Sequence, residues 1–248
     1  YAYADRSEYL GDPDFVDAPV AALTSKAYAQ EIRSRISLGR AAAAAEIGPG
    51  DLAPYESPDT THFSVVDSAG NAVANTYTIN FGYGTGLVAD GTGILLNNEL
   101  DDFSAKPGVP NAYGLIGGDA NAVGPNKRPL SSMSPTIVLQ GGRPFLVTGS
   151  PGGSRIITTT LQVIMNVIDH GMNVAEATHA PRVHHQWLPD ELRIEEGLSP
   201  DTTRLLEEKG HKVTVKDAMG STQSIMVTEH GLYGSSDPRT PGGLTLGY

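Results

Sequence analysis

The 248-residue sequence predicts a loop-rich α/β or α+β fold, on three observations. Glycine (29) and proline (17) are abundant while 39% of the residues are apolar, which suits a packed core joined by many turns rather than a disordered chain. Two stretches alternate apolar and polar residues on either side of a short glycine-containing turn, as antiparallel hairpins do. Several further stretches carry the start and stop signals of amphipathic helices. A chain of this length buries roughly 70 to 75% of its unfolded surface, enough for a core in one large domain or two small ones.

Residues 1–23 are rich in turn formers, Gly11-Asp12-Pro13-Asp14 among them, and read as a segment wrapped against the rest of the chain. From Thr24 or Ser25 the spacing of Tyr28, Ile32 and Ile36 predicts a helix, with Gly39 as its stop. Ala41 to Ala45 could extend it, but Pro49, Pro54 and Pro58 remove donors and favour extended backbone, so Ile47 to Asp59 reads as an exposed loop open to proteolysis. His62–Asp67 and Ala72–Ile79 alternate around Ser68-Ala69-Gly70-Asn71 and form the first hairpin. Pro135–Gln140 and Arg143–Thr148 flank Gly141-Gly142 and form the second. Ile156 to Ile168 is an amphipathic helix, and Asn173-Val174-Ala175-Glu176 is a variant capping box opening a shorter one that Pro181 ends. Ser199-Pro200 opens a helix through Lys209, stopped by Gly210, and Lys212–Val215, Thr222–Thr228 and Leu232–Ser235 are strands.

Several function classes are excluded. A net charge of -11 opposes nucleic acid, whose binding rests on lysine and arginine neutralising phosphates. Without cysteine there is no disulfide framework, thiolate metal site or cysteine nucleophile. No stretch is long and apolar enough to span a membrane, and the absence of an initiating Met reads as a start inside a longer gene product. Phe81 to Gly86 lacks the helix and acidic residue of a dinucleotide loop, and Gly124 to Arg128 lacks the Lys-Ser/Thr pair of a phosphate loop. His184 and His185 are adjacent, so on extended backbone they point to opposite faces and share no metal ion. Gly149 to Ser154, before the helix at Ile156, suits an oxyanion by its free N–H groups, but turn chemistry alone favours a plain strand-to-helix turn.

Four motifs carry a resemblance. Thr-Thr-His-Phe-Ser-Val-Val-Asp (60–67), Asn-Asn-Glu-Leu-Asp-Asp-Phe-Ser (97–104), Arg-Pro-Leu-Ser-Ser-Met-Ser-Pro-Thr-Ile-Val (128–138) and Thr-Gly-Ser-Pro-Gly-Gly-Ser-Arg-Ile-Ile (148–157) together resemble the gamma-glutamyltranspeptidases, particularly bacterial ones. The resemblance implies an α+β fold, the αββα sandwich of N-terminal nucleophile hydrolases with mostly antiparallel sheets. It implies two parts: residues 1–59, the C-terminal end of a large subunit ending in a processing loop, and residues 60–248, a whole small subunit. Cleavage of the Asp59–Thr60 bond would leave Thr60 with a hydroxyl and a free α-amine, nucleophile and base in one residue.

By the same resemblance Thr78 supports the nucleophile, while Asn80, Glu99 and Asp102 hold the substrate α-ammonium. Ser131 and Ser132 hold the α-carboxylate, Gly152 and Gly153 offer backbone N–H groups to an oxyanion, and Tyr113 belongs to a lid at Pro107–Gly118. The implied reaction takes the γ-glutamyl group of glutathione or a related amide onto Thr60 and passes it to water or to an amino-acid or peptide amine. It needs no cofactor and no metal. The implied partner is the remainder of the large subunit, forming a heterodimer after cleavage, and the implied location is the periplasm or the outside of the cell. Members of the family also pair the α-carboxylate with an arginine from a region outside this chain; Arg6, Arg33, Arg35 and Arg40 do not match it. Two other readings stand: a cephalosporin or glutaryl-amide acylase of the same superfamily, which shares Thr60 and the glycine pair but needs no ammonium site, and an uncleaved, non-catalytic fragment.

Overall fold

The computed structural model describes residues 1–47 and 60–248. The expected processing loop lies, beyond Ile47, outside the described residues. Four helices come first: α1 (Ala2–Tyr9), α2 (Val20–Leu23), α3 (Lys26–Arg35) and α4 (Ala44–Ile47). Then follow β1 (Thr60–Val66), β2 (Ala72–Thr78), β3 (Thr136–Gln140), β4 (Arg143–Thr148), α5 (Ile156–Ile168), α6 (Val174–His179), β5 (Val183–His184), β6 (Leu192–Ile194), α7 (Pro200–Glu208), β7 (Val213–Val215), β8 (Gln223–Thr228) and β9 (Gly231–Ser236).

β1 and β2 pair antiparallel with Thr60 opposite Thr78 and His62 opposite Thr76. A four-stranded antiparallel sheet has the order β3-β4-β8-β9, and a three-stranded one the order β5-β6-β7 with a parallel β6–β7 pair. Gly141 (φ 57°) and Gly142 (φ 79°) both take the left-handed region that a tight two-residue hairpin demands, which is why that turn is glycine. The four-stranded sheet packs on α5 and α6 through Leu146, Val163, Val167, Val174 and Ala177, all buried. Each such aliphatic side chain contributes about 1.5–3 kcal/mol by leaving water. The β1–β2 hairpin lies against the same sheet, tied by Ser64 Oγ donating to the Gln223 carbonyl at 2.7 Å. The hairpin and the helices α5 and α6 thus both pack on the four-stranded sheet, and Thr60 is the first residue of β1.

Three local expectations are corrected. Residues 1–23 are not all turn: Ala2–Tyr9 is helical without any side-chain N-cap, held instead by tertiary bonds such as Tyr3 Oη to the Ser154 carbonyl at 2.7 Å. α3 starts as expected on the Ser25 cap but ends at Arg35, where Ile36 turns extended, so Gly39 does not stop it. Ser199 precedes α7 but its side chain makes no capping bond, and Pro200 alone marks that start. By contrast the Asn173–Glu176 capping box is complete in both directions.

Candidate active site

Thr60 Oγ1 donates to Thr78 Oγ1 at 3.3 Å across the hairpin, a pairing fixed by the register of the two strands. Thr78 Oγ1 in turn accepts the backbone N–H of Asn80 at 2.8 Å. Asn80 is buried and sits at φ 74°, a left-handed conformation asparagine tolerates better than most residues. Its turn is clamped by Asn98: Asn80 Nδ2 donates to the Asn98 carbonyl at 3.1 Å, and Asn98 Oδ1 accepts the N–H of Phe81 at 2.9 Å. Asn98 has no individual role in the sequence reading, and its only signal there is its place in the Asn97-Asn98-Glu99 motif.

Tyr113 is buried rather than an exposed loop aromatic, and its hydroxyl donates to Asn80 Oδ1. The oxygen expected to accept a substrate ammonium is therefore already engaged. Gln186 Nε2 supports Tyr113 from behind through its carbonyl at 3.1 Å, while Gln186 Oε1 accepts from Ser154 Oγ at 2.6 Å. Gly153 (φ 56°) lies under the Tyr113 ring: a Cβ there would stand 2.5 Å from the ring carbon Cδ1, so both backbone angle and space demand glycine. Gly152 (φ 133°) caps the short 3-10 turn Gly153–Arg155 that leads into α5. The strand-to-helix turn and the oxyanion reading are thus compatible, since the turn itself aims N–H groups outward at a helix start.

Glu99 and Asp102 open and close one turn of 3-10 helix. Their carboxyls hydrogen-bond each other, and both are held above the usual carboxylate range. For Asp102, pushed up to about 7, burial acts most, followed by the charge and hydrogen bond of Glu99, with the Arg6 guanidinium opposing. Ser131 Oγ accepts the N–H of Met133 at 3.1 Å, and Ser132 Oγ accepts from Arg6 Nη2 at 3.1 Å. Arg6 is the one expected non-participant that the fold brings to the site. Arg33 and Arg40 bond the Ile36 carbonyl and Glu46, and Arg35 covers the Tyr1 ring.

One small cavity gathers most of these groups. Thr60, Thr78, Asn80, Asp102, Tyr113, Ser131, Ser132, Met133, Gly153 and Ile156 line about 20 Å³. That is room for about one water molecule. Glu99 and Gly152 are not among the lining residues; Glu99 acts on Asp102 from behind, and Gly152 borders Thr60 in a larger neighbouring groove of about 710 Å³. His62, two residues after Thr60, is a structural histidine: it bonds Thr76 Oγ1 at 2.7 Å and Ser64 Oγ at 3.1 Å, and burial lowers its pKa to about 4. His184 bonds Thr158 and Gln186, while His185 faces Asp190. Among the described residues no cluster of three or more His or acidic side chains could hold a metal.

A family model described as Gamma-glutamyltranspeptidase matches residues 1–246. The "Glutathione hydrolase proenzyme" of Escherichia coli is 71% identical over the whole of this chain, which spans 43% of that relative's length, and that of Pseudomonas sp. is 51% identical. The structure titled as the T380A mutant of Helicobacter pylori gamma-glutamyltranspeptidase superposes with a TM-score of 0.70 at 60% identity, covering 73% of this chain and 100% of that one. The cephalosporin acylase of Bacillus halodurans superposes with a TM-score of 0.79 at 29% identity, covering 96% of this chain and 41% of that one.

Proposed function

The chain belongs to the gamma-glutamyltranspeptidase family and has the α+β fold of the N-terminal nucleophile hydrolases, and on that premise we propose that it transfers and hydrolyses γ-glutamyl groups through an ester on Thr60. The observation that carries the reading is the single cavity in which Thr60 meets Thr78, Asn80, Asp102, Ser131, Ser132 and Gly153. Asn80 and Asp102 carry acceptors for an ammonium, and Ser131 and Ser132 carry hydroxyl donors for a carboxylate. That pairing suits the α-amino-acid end of a γ-glutamyl amide, glutathione being the expected donor.

In this reading the chain divides at Asp59–Thr60 into residues 1–59 and residues 60–248. Breaking that bond frees the Thr60 α-amine, whose unperturbed pKa of about 7.7–8 lets it take the proton from Oγ1 near neutral pH. Oγ1 attacks the γ-carbonyl carbon, and the resulting oxyanion is held by the N–H groups of Gly152 and Gly153. Collapse breaks the C–N bond, and the departing amine leaves with the proton that the Thr60 amine had taken. Water, or the amine of an amino acid or peptide, then attacks the ester and regenerates the Thr60 hydroxyl. The rest of the large subunit completes the pocket as the partner of the small one, and the periplasm or cell exterior is the expected location. Among the described residues no helix is long and apolar enough to cross a membrane.

The likeness to a cephalosporin acylase over 96% of the chain favours a second reading, hydrolysis of glutaryl-type amides. Asn80, Glu99 and Asp102 weigh against it, because a glutaryl group carries no ammonium for them to hold. Mass spectrometry of the purified protein should find residues 1–59 detached from residues 60–248 at their junction. The processed enzyme should turn over a γ-glutamyl anilide far faster than a glutaryl anilide; the reverse preference would install the acylase. Thr60→Ala should remove both cleavage and turnover, the latter by at least about a thousandfold, and persistence of either rejects the mechanism.

A further inference from the structure

We infer that Arg6 is a positioning residue for the substrate α-carboxylate, acting through the hydroxyl of Ser132. The inference rests on the γ-glutamyl reading of the cavity and adds a residue from the other side of the cleavage point. Arg6 lies on α1, and its Nη2 donates to Ser132 Oγ at 3.1 Å and to the Leu130 carbonyl at 3.4 Å. A guanidinium has only donors, whereas a hydroxyl has one hydrogen and two acceptor positions. Arg6 therefore occupies a lone pair of Ser132 and leaves its hydrogen free. Among the described residues no acceptor takes that hydrogen, and Ser132 lines the cavity beside Ser131. The hydrogen is thus available to a carboxylate in the cavity, and the charged donor behind it strengthens the hydroxyl as a donor.

The placement of Arg6 is itself secured. α1 is tied to the oxyanion turn by Tyr3 Oη on the Ser154 carbonyl at 2.7 Å, and to the lid segment by Ser7 Oγ on the Ile116 carbonyl and by Gly118 N–H on the Ser7 carbonyl at 2.8 Å. Three residues of one helix, at positions 3, 6 and 7, thereby reach the oxyanion turn, the serine pair and the lid. The positive charge of Arg6 also acts on Asp102, with which it lines a second small cavity, so one side chain bears on both the expected carboxylate and ammonium ends. In the cleaved protein this makes residues 1–59 a working part of the pocket rather than a spent leader.

The test compares the processed enzyme with Arg6→Met, Arg6→Lys, Ser132→Ala and the double variant Arg6→Met/Ser132→Ala. Substrates are a γ-glutamyl anilide and a 4-aminobutyryl anilide, which differs only in lacking the α-carboxylate. Arg6→Met should raise KM for the γ-glutamyl substrate about 10- to 100-fold with kcat little changed, as loss of a charge-assisted contact formed equally in ground and transition states requires. The 4-aminobutyryl substrate should lose far less, only what the weaker ionisation of Asp102 costs once Arg6 is gone, and adding Arg6→Met to Ser132→Ala should cost no more than that same small loss. Equal losses on both substrates, or additive losses in the double variant, overturn the inference in favour of a merely structural arginine. Should Arg6→Met fail to fold or cleave, Arg6→Lys decides: it keeps one donor for Ser132 and should restore most of the KM, whereas a lysine variant impaired equally on both substrates refutes the role. The cycle with Ser132→Ala needs only the γ-glutamyl substrate, so it reads even if the analogue is turned over too slowly to measure. If the parent enzyme makes no distinction between γ-glutamyl, 4-aminobutyryl and glutaryl anilides, the reading of the cavity itself fails, whatever Arg6 does.

Discussion

Two groups of carboxylates in this protein, one buried and one half-buried, are built on opposite principles. Asp237 and Glu195 lie within a closed set of charges: Arg182 Nη2 meets Asp237 Oδ2 at 2.5 Å, Arg239 Nη2 meets Glu195 Oε2 at 2.5 Å, and Arg239 Nη1 bridges to Asp237 Oδ1 at 3.1 Å. Backbone N–H groups of Thr222, Met219 and Arg182 add further donors to the same oxygens. Two cations balance two anions, and although burial opposes it, both acids are held below their ordinary range. Glu99 and Asp102 instead bond each other: burial raises both, the charge and hydrogen bond of Glu99 raise Asp102 further, the same hydrogen bond offsets part of the rise at Glu99, and Arg6 is the one cation that opposes, at Asp102. In the first arrangement all four carboxylate oxygens already accept from a donor. The second is short of positive charge, which is the condition a substrate ammonium relieves.

The contrast breaks most sharply on stability. Asp237→Asn leaves Arg182 buried without its counter-charge, and removing one partner of a buried pair typically costs about 3–5 kcal/mol. For a chain of this size that lowers the melting temperature by roughly 10 °C, measurable by calorimetry on the processed protein. The sign with pH follows from the shifts. Asp237 and Glu195 have folded pKa values below their unfolded ones, so their contribution is present above the unfolded carboxylate range near pH 4 and is lost as pH falls below it. A variant as stable as the parent at pH 7 would show that the network is ornamental.

Asp102→Asn should behave in the opposite way. Its folded pKa of about 7 exceeds the unfolded value, so the folded state is penalised increasingly as pH rises from about 4 to 7, and neutralising it removes that penalty. The melting temperature at pH 8 should hold or rise, while kcat/KM for a γ-glutamyl anilide falls about a hundredfold through loss of a buried charge partner. Such an exchange of stability for activity is what a site, as opposed to a scaffold, should show. Loss of stability together with unchanged turnover would reverse the assignment of the two clusters.

How far the sequence reveals these features depends on how local their causes are. α5 was legible to its ends because a glycine turn, an amphipathic period and Gly171 mark it within one stretch. The hairpins were legible for the same reason. α1 was not, since it has no side-chain cap and few buried residues, and its bonds reach Ser154 and Ile116 far along the chain. β5 and β6 escaped notice because strands of two and three residues carry no period to read. In the site, most of the residues named by motif line one cavity, Glu99 and Gly152 excepted, while Asn98 and Arg6 do not announce themselves. The Arg6–Ser132 contact joins positions 126 residues apart, a separation no pattern within either segment encodes.

The smallest effect sharpens the comparison furthest, because it separates the two groups that titrate near neutrality in the proposed mechanism. Asp102 must be ionised to hold an ammonium, and the Thr60 α-amine, near 7.7–8 when unperturbed, must be neutral to take a proton. Both requirements cut activity on the acid side of the kcat/KM profile, which reports the free enzyme. Glu99→Gln distinguishes them. It removes the like charge that, after burial, does most to raise Asp102, and leaves an amide that can donate to the Asp102 carboxylate. The Asp102 limb should therefore move to lower pH by about one unit, while the limb belonging to the Thr60 amine stays nearly in place. The plateau falls slightly as one negative charge near the substrate ammonium is lost. An acid limb that does not move would mean that Glu99 and Asp102 are not coupled in the working enzyme. A shift to higher pH would mean that Glu99, and not Asp102, carries the charge that the ammonium meets.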